Sequence, residues 1–176
     1  MEIEFAMKIK WAVMILSLVG LGILLAEAKR ERVLHIRLYV LMGVCYPLGK
    51  LIQYWFWIPQ IFRFYLSDFG FVPFLGFVFF QWYRHRCPSQ VRTWPQYLQT
   101  LAYATRYALV LAMLVELAQI WANRLVAPSA DLMIFRGDPM DGIVYVAAYL
   151  ICEYVLIGRL ERVVWEVLKN NSRKKH

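Results

Sequence analysis

The sequence predicts an all-α fold, an integral membrane bundle of about five transmembrane helices. The chain has 176 residues, of which 61% are hydrophobic and 16% are aromatic. Its mean hydropathy is +0.48, and soluble domains are less apolar than this. Five apolar stretches reach or approach the ~20 residues that a helix needs to cross a hydrocarbon core of ~30 Å. They form a single predicted transmembrane domain over residues 1–176.

A short basic turn separates the first two predicted helices. The first spans Trp11–Ala28 and the second spans Val33–Ile52. An alternative for the first is a signal peptide, because lysines precede its apolar core and Ala26-Glu27-Ala28 resembles a cleavage site. The basic cluster that follows directly resists translocation, so we favour a retained helix.

The third, fourth and fifth helices are predicted at Phe69–Tyr83, Thr100–Ala122 and Asp141–Gly158. The third is the shortest, and Pro73 interrupts it. The fifth follows Asp138-Pro139-Met140-Asp141, which is typical of a helix start. An aspartate at the N-cap, proline at the first position and a second acid all suit the positive end of the helix dipole.

Two further segments are predicted to lie at the membrane surface. Gln53–Leu66 has seven aromatic residues in fourteen, and tyrosine and tryptophan favour the headgroup level. We therefore predict an outer interfacial helix or a re-entrant piece there. After Gly158, leucines and valines recur at helical spacing and Arg173-Lys174-Lys175 follows. This pattern predicts an amphipathic C-terminal helix on an anionic cytoplasmic leaflet.

The basic residues predict the orientation of the bundle. With five passes, the basic groups after helices one, three and five share one side of the membrane, and fewer basic residues lie on the other. These groups are Lys29, Arg30 and Arg32; Arg84, Arg86 and Arg92; and Arg159, Arg162, Lys169, Arg173, Lys174 and Lys175. The prediction is a multi-pass cell-membrane protein with an outer N-terminus and a cytoplasmic C-terminus. The net charge of +8 then reflects topology and contact with membrane lipids, since no basic-aromatic motif indicates nucleic-acid binding.

Acidic residues gather at the predicted outer face. Glu116 and Gln119 lie one turn apart on the outer half of helix four and share a face. Asp68 opens the predicted helix three, and Asp138 and Asp141 open helix five. The sequence therefore predicts a polar, acidic pocket at this face.

A carboxylate at membrane depth costs several kcal/mol, so Glu116 needs a partner or a function. Lys50, at the same level on helix two, is the partner that we expect first, and Arg136 lies nearby. Helix capping is a competing explanation for the three aspartates. A structural contact between helices is the competing explanation for Glu116.

A second polar pair is predicted deeper in the bundle. Arg106 and Glu153 lie about 9 and 8 Å from the cytoplasmic ends of helices four and five. We predict that they form an ion pair that holds the two helices together. A proton or ion route is the alternative.

The acidic motif resembles the VanZ-like family of small membrane proteins. Those proteins carry Glu-x-x-Gln late in the penultimate helix, as Glu116 and Gln119 do. An arginine and paired aspartates follow, where this chain has Arg136 and Asp138-x-x-Asp141. An upstream aspartate corresponds to Asp68, so the resemblance covers roughly Asp68 to Gly158. It implies a role at the cell envelope, where the prototype is linked to glycopeptide-antibiotic resistance.

The chain departs from the family pattern at three positions. Tyr145 replaces the usual asparagine, and it joins the candidate ligand-binding residues because some relatives carry tyrosine there. Ala148 replaces a glycine, and Val72 replaces a histidine. These departures place the chain beside a branch of the family rather than beside its prototype.

No catalytic residue, metal ligand set or cofactor is predicted. The three histidines lie near the predicted cytoplasmic side, away from the acids, and the three cysteines lack metal-ligand spacing. We therefore favour a non-enzymatic protein whose outer pocket binds a lipid or a lipid-linked envelope component. A small accessory subunit of a larger membrane complex is the first alternative. A carboxylate-dependent membrane hydrolase or transferase is the second.

Overall fold

The protein is described by a computed structural model that covers residues 2–53, 59–125 and 139–173. Side chains are described for residues 11–53, 59, 65–121 and 140–165. The described chain is helical and contains no strand, which confirms the predicted all-α fold class. Its helices are α1 (Glu2–Arg30), α2 (Leu34–Ile52), α3 (Gln60–Arg86), α4 (Trp94–Leu125), α5 (Pro139–Leu150) and α6 (Gly158–Arg173). A 3₁₀ turn covers Pro88–Val91, and a π-helical segment, Ile151–Ile157, joins α5 to α6.

Three stretches of the described residues are long and apolar enough to cross a membrane. They are Trp11–Arg30, Trp94–Trp121 and Met140–Trp165. The last runs through α5, the π-helical segment and part of α6. These helices are compatible with a multi-pass membrane protein. α2 and α3 are not among the three, and α2 contains Arg37 and Lys50 within its 19 residues.

The backbones of α2 and α3 approach each other unusually closely. A Cβ atom added to Gly70 would lie 2.1 Å from the backbone nitrogen of Tyr46, and one added to Gly49 would lie 2.4 Å from that of Ser67. Only a residue without a side chain fits at such distances. Small residues permit this kind of contact between membrane helices, and here it brings the C-terminal end of α2 against the first half of α3.

The buried face of α4 leads from the core to the candidate site. Leu101, Thr105, Ala108 and Ala112 are buried at intervals of three or four residues, and Glu116 continues the series. Leu101 belongs to the half of the core that contains Tyr39 and Phe80, and Thr105 hydrogen-bonds to Tyr39 there. The alanines pack with Val72 and Tyr145 in a second cluster. Glu116 therefore projects between helices and not toward lipid.

The N-terminal boundary of α3 differs from the prediction. The helix begins at Gln60, after Pro59, so Asp68 lies in its third turn and cannot cap it. The aromatic residues from Ile61 to Leu66 extend the same helix, because apolar side chains at helical spacing suit a longer helix as well as a surface segment. The segment predicted from Gln53 as an interfacial helix or a re-entrant piece is thus not separate from helix three: from Gln60 onward it is part of α3. Residues 54–58 lie outside the described residues.

The last helix also continues past its predicted end. Gly158 keeps a right-handed helical conformation, with φ −66° and ψ −30°, and its N–H donates to the carbonyl oxygen of Glu153. A glycine ends a helix when it adopts the left-handed conformation, which Gly158 does not. α6 therefore follows without a break, and it is amphipathic as predicted.

Candidate functional site

Four helices contribute to a cluster of ionisable side chains at one end of the bundle. Glu116 is buried, with 5% of its surface exposed. Asp68 on α3, Asp141 in the first turn of α5 and Lys50 in the last turn of α2 are half-buried. We call Asp68, Glu116 and Asp141, with Lys50 and Tyr145, the carboxylate cluster.

Electrostatic interactions show that the members of the carboxylate cluster are neighbours. Asp68 interacts most strongly with Asp141, then with Lys50 and Glu116. The hydroxyl of Tyr145 interacts with all three carboxylates, most strongly with Asp68. Residues that are far apart in the sequence thus lie close enough to one tyrosine hydroxyl to interact with it electrostatically.

Aromatic rings form one wall of the carboxylate cluster. The ring centroid of Tyr145 lies 5.8 Å from that of Phe71, and Phe71 lies 5.1 Å from Tyr46. The ammonium nitrogen of Lys50 lies 5.8 Å from the centroid of the Tyr46 ring, within the range of a cation–π interaction. Lys50 therefore meets the cluster from the α2 side, and a direct pairing with Glu116 stays a prediction.

A short hydrogen-bond chain orients Asp68. The side-chain amide nitrogen of Gln53 donates to the hydroxyl of Ser67 at 3.2 Å, and that hydroxyl donates to Asp68 Oδ1 at 3.4 Å. Ser67 is fully buried where α2 and α3 touch. No role for Ser67 was predictable from the sequence, because no spacing links it to Gln53, the residue that follows α2.

The remaining candidates around the carboxylate cluster are only partly described. Gln119 is half-buried one turn beyond Glu116. Arg136 and Asp138 lie outside the described residues. α5 begins at Pro139, the position that the predicted helix start requires, and Asp141 lies in its first turn.

Arg106 and Glu153 are in contact near the middle of the bundle. Arg106 Nε donates to Glu153 Oε1 at 3.1 Å, and Nη2 of the same guanidinium donates to the same oxygen. The Glu153 side chain is 9% exposed and that of Arg106 is 53% exposed. The contact joins α4 to the π-helical segment, the kind of helical irregularity that is frequent at functional sites.

A buried hydroxyl pair links α2 to α4. Tyr39 Oη lies 2.8 Å from Thr105 Oγ1, and Thr105 Oγ1 donates to the carbonyl oxygen of Leu101 at 2.7 Å. Because threonine has one hydroxyl hydrogen, Tyr39 is the donor of the first bond. This pair was not predictable from the sequence, since a tyrosine and a threonine inside apolar helices carry no spacing signal.

The carboxylate cluster offers groups that can recognise a ligand by hydrogen bonding. Carboxylates accept hydrogen bonds from hydroxyl and ammonium groups, and a tyrosine hydroxyl both donates and accepts. In the part of the chain whose side chains are described, no three acidic, histidine or cysteine side chains are arranged to hold a metal ion. A comparison with protein-family models, curated proteins and solved structures finds no match to this chain. The resemblance to the VanZ-like family therefore stays a prediction.

Proposed function

We propose that this chain is a non-enzymatic, multi-pass protein of the cell membrane, similar to VanZ-like proteins, that binds the polar head of a lipid or a lipid-linked envelope component. The binding site is the carboxylate cluster. The convergence of three carboxylates, a lysine and a tyrosine hydroxyl from four helices carries the proposal.

The proposed topology has five passes, with α2 and α3 crossing beside the three more apolar helices. α2 and α3 are in contact along their length, and α3 also packs on α4 and α5. Polar residues in membrane helices almost always face a bundle interior, and Asp68 and Lys50 are both half-buried against other helices. The positive-inside rule then puts the carboxylate cluster at the outer face, where envelope components are assembled.

The charge of the carboxylate cluster restricts the head group that it can take. Three carboxylates against one ammonium group repel a simple anion. They accept hydrogen bonds from the hydroxyls of a sugar or glycerol, or from an amine. The aromatic wall at Phe71 and Tyr46 offers an apolar face on which a sugar ring can stack. We therefore place a hydroxyl-rich or amine-bearing head group here.

Mass spectrometry of the gently extracted native protein tests this proposal. The wild-type protein is expected to retain a lipid with a hydroxyl-rich or amine-bearing head. Glu116→Gln removes one charge at constant shape, so it is expected to insert normally and to lose at least about tenfold of the retained lipid, the size of one charge-assisted hydrogen bond. Glu161→Gln, the same change at an exposed position of α6, is the matched control and is expected to behave as wild type. Equal retention in both variants would make the carboxylate cluster a packing feature.

A further inference from the structure

A large groove lies between α3 and α4, on the side of α4 opposite to the carboxylate cluster. Its volume is about 880 Å³, within the range of ligand-binding pockets. Its walls include Trp82, Tyr103, Tyr107 and Val110, which are all exposed on the helix surface. No step of the proposed function uses this groove.

The two ends of the groove differ in chemistry. Gln90, Gln96 and Gln99 line one end, and Leu111 and Leu114 line the other. From Gln96 to Leu114 the groove follows α4 for about 27 Å, nearly the thickness of a hydrocarbon core. A groove with amides at one end and apolar side chains along its length matches an amphipathic molecule that lies parallel to the membrane normal.

A positive charge stands at the polar end. The guanidinium carbon of Arg86 lies 5.9 Å from the centroid of the Trp82 ring, and Trp82 is part of the groove wall. Tyr83 donates a hydrogen bond to the side-chain oxygen of Gln90, which fixes the loop at this end. The guanidinium and the glutamine amides together supply donors for a phosphate and for ester oxygens.

The walls also distinguish a lipid from a protein partner. Helices that associate inside membranes meet through small residues, but large side chains such as Trp82, Tyr103 and Tyr107 dominate the lining of this groove. The small residues in it are Thr100 and Ala104. Bulky, irregular walls suit flexible acyl chains. We propose that the groove binds one anionic phospholipid of the membrane, with its phosphate at Arg86 and its acyl chains along Tyr107 and Val110 toward Leu114. This inference is independent of the carboxylate cluster.

Native mass spectrometry of the full chain, released from nanodiscs of equal phosphatidic acid and phosphatidylcholine, tests the groove, because phosphatidic acid is anionic and carries neither a glycerol head nor an amine for the carboxylate cluster. The wild-type protein is expected to retain one phospholipid and to prefer phosphatidic acid. Arg86→Gln is expected to lower the ratio of the two retained lipids about fivefold, the effect of one basic residue near an anionic surface. Arg159→Gln makes the same change at an exposed position outside the groove lining and is expected to leave the ratio unchanged.

Filling the groove provides a second, independent variant. Val110→Trp is expected to abolish retention of the phospholipid, because the indole occupies the space of the acyl chains. Val19→Trp is its control, since Val110 and Val19 are 56% and 54% exposed and neither change touches the buried core. Folding of each variant is checked by circular dichroism.

Four results would overturn the assignment of the groove. These are an unchanged lipid ratio in Arg86→Gln, equal retention in Val110→Trp and Val19→Trp, a stoichiometric protein crosslinked at position 110, and loss of the phospholipid in Glu116→Gln. The last result would move the lipid to the carboxylate cluster. Retention in Glu116→Gln together with loss in Val110→Trp supports the groove whether or not the carboxylate cluster binds a ligand.

Discussion

Gly70→Ala is the sharpest test of the helix packing that builds the carboxylate cluster. The new Cβ atom would lie 2.1 Å from the backbone nitrogen of Tyr46 and 2.6 Å from the carbonyl carbon of Cys45. Ordinary van der Waals contact begins near 3.4 Å. Since the obstructing atoms are backbone and not the end of a flexible side chain, α2 must move away from α3 by more than 1 Å.

The expected loss of stability follows from this displacement. Overpacking a tight interior, backbone shifts included, costs about 1–3 kcal/mol. Alanine recovers roughly 1 kcal/mol through its better helix propensity. We therefore expect the free energy of unfolding of Gly70→Ala to fall by up to about 2 kcal/mol and to lie about 1–3 kcal/mol below that of a Gly→Ala change without the clash. Gly70 is two residues beyond Asp68, so the displacement should also open the carboxylate cluster and reduce lipid retention there.

Reversible unfolding of the full chain in mixed micelles, by titration with denaturing detergent, measures this free energy. Gly22→Ala is the matched control, because no atom lies within 4 Å of a Cβ added at this helical glycine. We expect the control to unfold like the wild type or slightly later. If Gly70→Ala were as stable as Gly22→Ala, the close approach of α2 and α3 described above would be refuted.

Two further perturbations test the polar contacts inside the bundle. Arg106→Glu or Glu153→Arg alone should lower the stability of the bundle, because each leaves two like charges facing each other where Glu153 is buried and Arg106 is half exposed. The double reversal should restore assembly as judged by size-exclusion chromatography. Absence of rescue would show that the two residues do not stabilise each other. Thr105→Val should lower the free energy of unfolding by about 1–3 kcal/mol in the same assay, because it leaves the buried hydroxyl of Tyr39 without its acceptor. Tyr39→Phe removes the hydroxyl itself and should lower the free energy of unfolding by only about 1 kcal/mol. The reverse order would show that Tyr39 has another partner.

The helices themselves were predictable because their signal is local. α2 begins and ends within one residue of its predicted bounds, since basic residues and an aromatic segment flank its apolar run. α4 extends beyond its predicted apolar core to Trp94 and Leu125. At its start, the N–H of Thr93 donates to the Gln96 side chain at 3.2 Å, half of a capping box that hydropathy alone does not reveal.

The members of the carboxylate cluster were predictable because placing a carboxylate inside an apolar membrane helix costs free energy, so such a residue is unusual and easily recognised in the sequence. Glu116 has no capping role in mid-helix, and its face on α4 follows from helical periodicity. The role of Asp68 as a cap was wrong because its helix begins earlier. Neither Ser67 nor the aromatic wall at Phe71 could be assigned, since both depend on which residues of α2 and α3 touch.

The groove and the close glycine contacts were not predictable for a related reason. A groove is the space that two helices leave between them, and its shape depends on their crossing and not on either sequence. The π-helical segment was not predictable either, because the wider turn shows itself in the structure, in the hydrogen bond from the Gly158 N–H to the Glu153 carbonyl oxygen, and not in the sequence. Residues such as Tyr107 and Trp82 carry the same hydropathy whether they line a groove or face open lipid.

α4 combines the two candidate sites on opposite faces of one helix. Its buried face carries Ala108, Ala112 and Glu116 into the carboxylate cluster, whereas Tyr107 and Val110 face the groove. Since these faces are separated by about half a helical turn, a substitution on one leaves the other in place. The alanines affect both sites. Because they are small, α4 approaches α3 and α5 closely enough for the carboxylates to come together. The larger side chains of α4 then lie on its opposite face, where they form the groove wall. We therefore expect variants on one face of α4 to affect one candidate site and to leave lipid retention at the other unchanged.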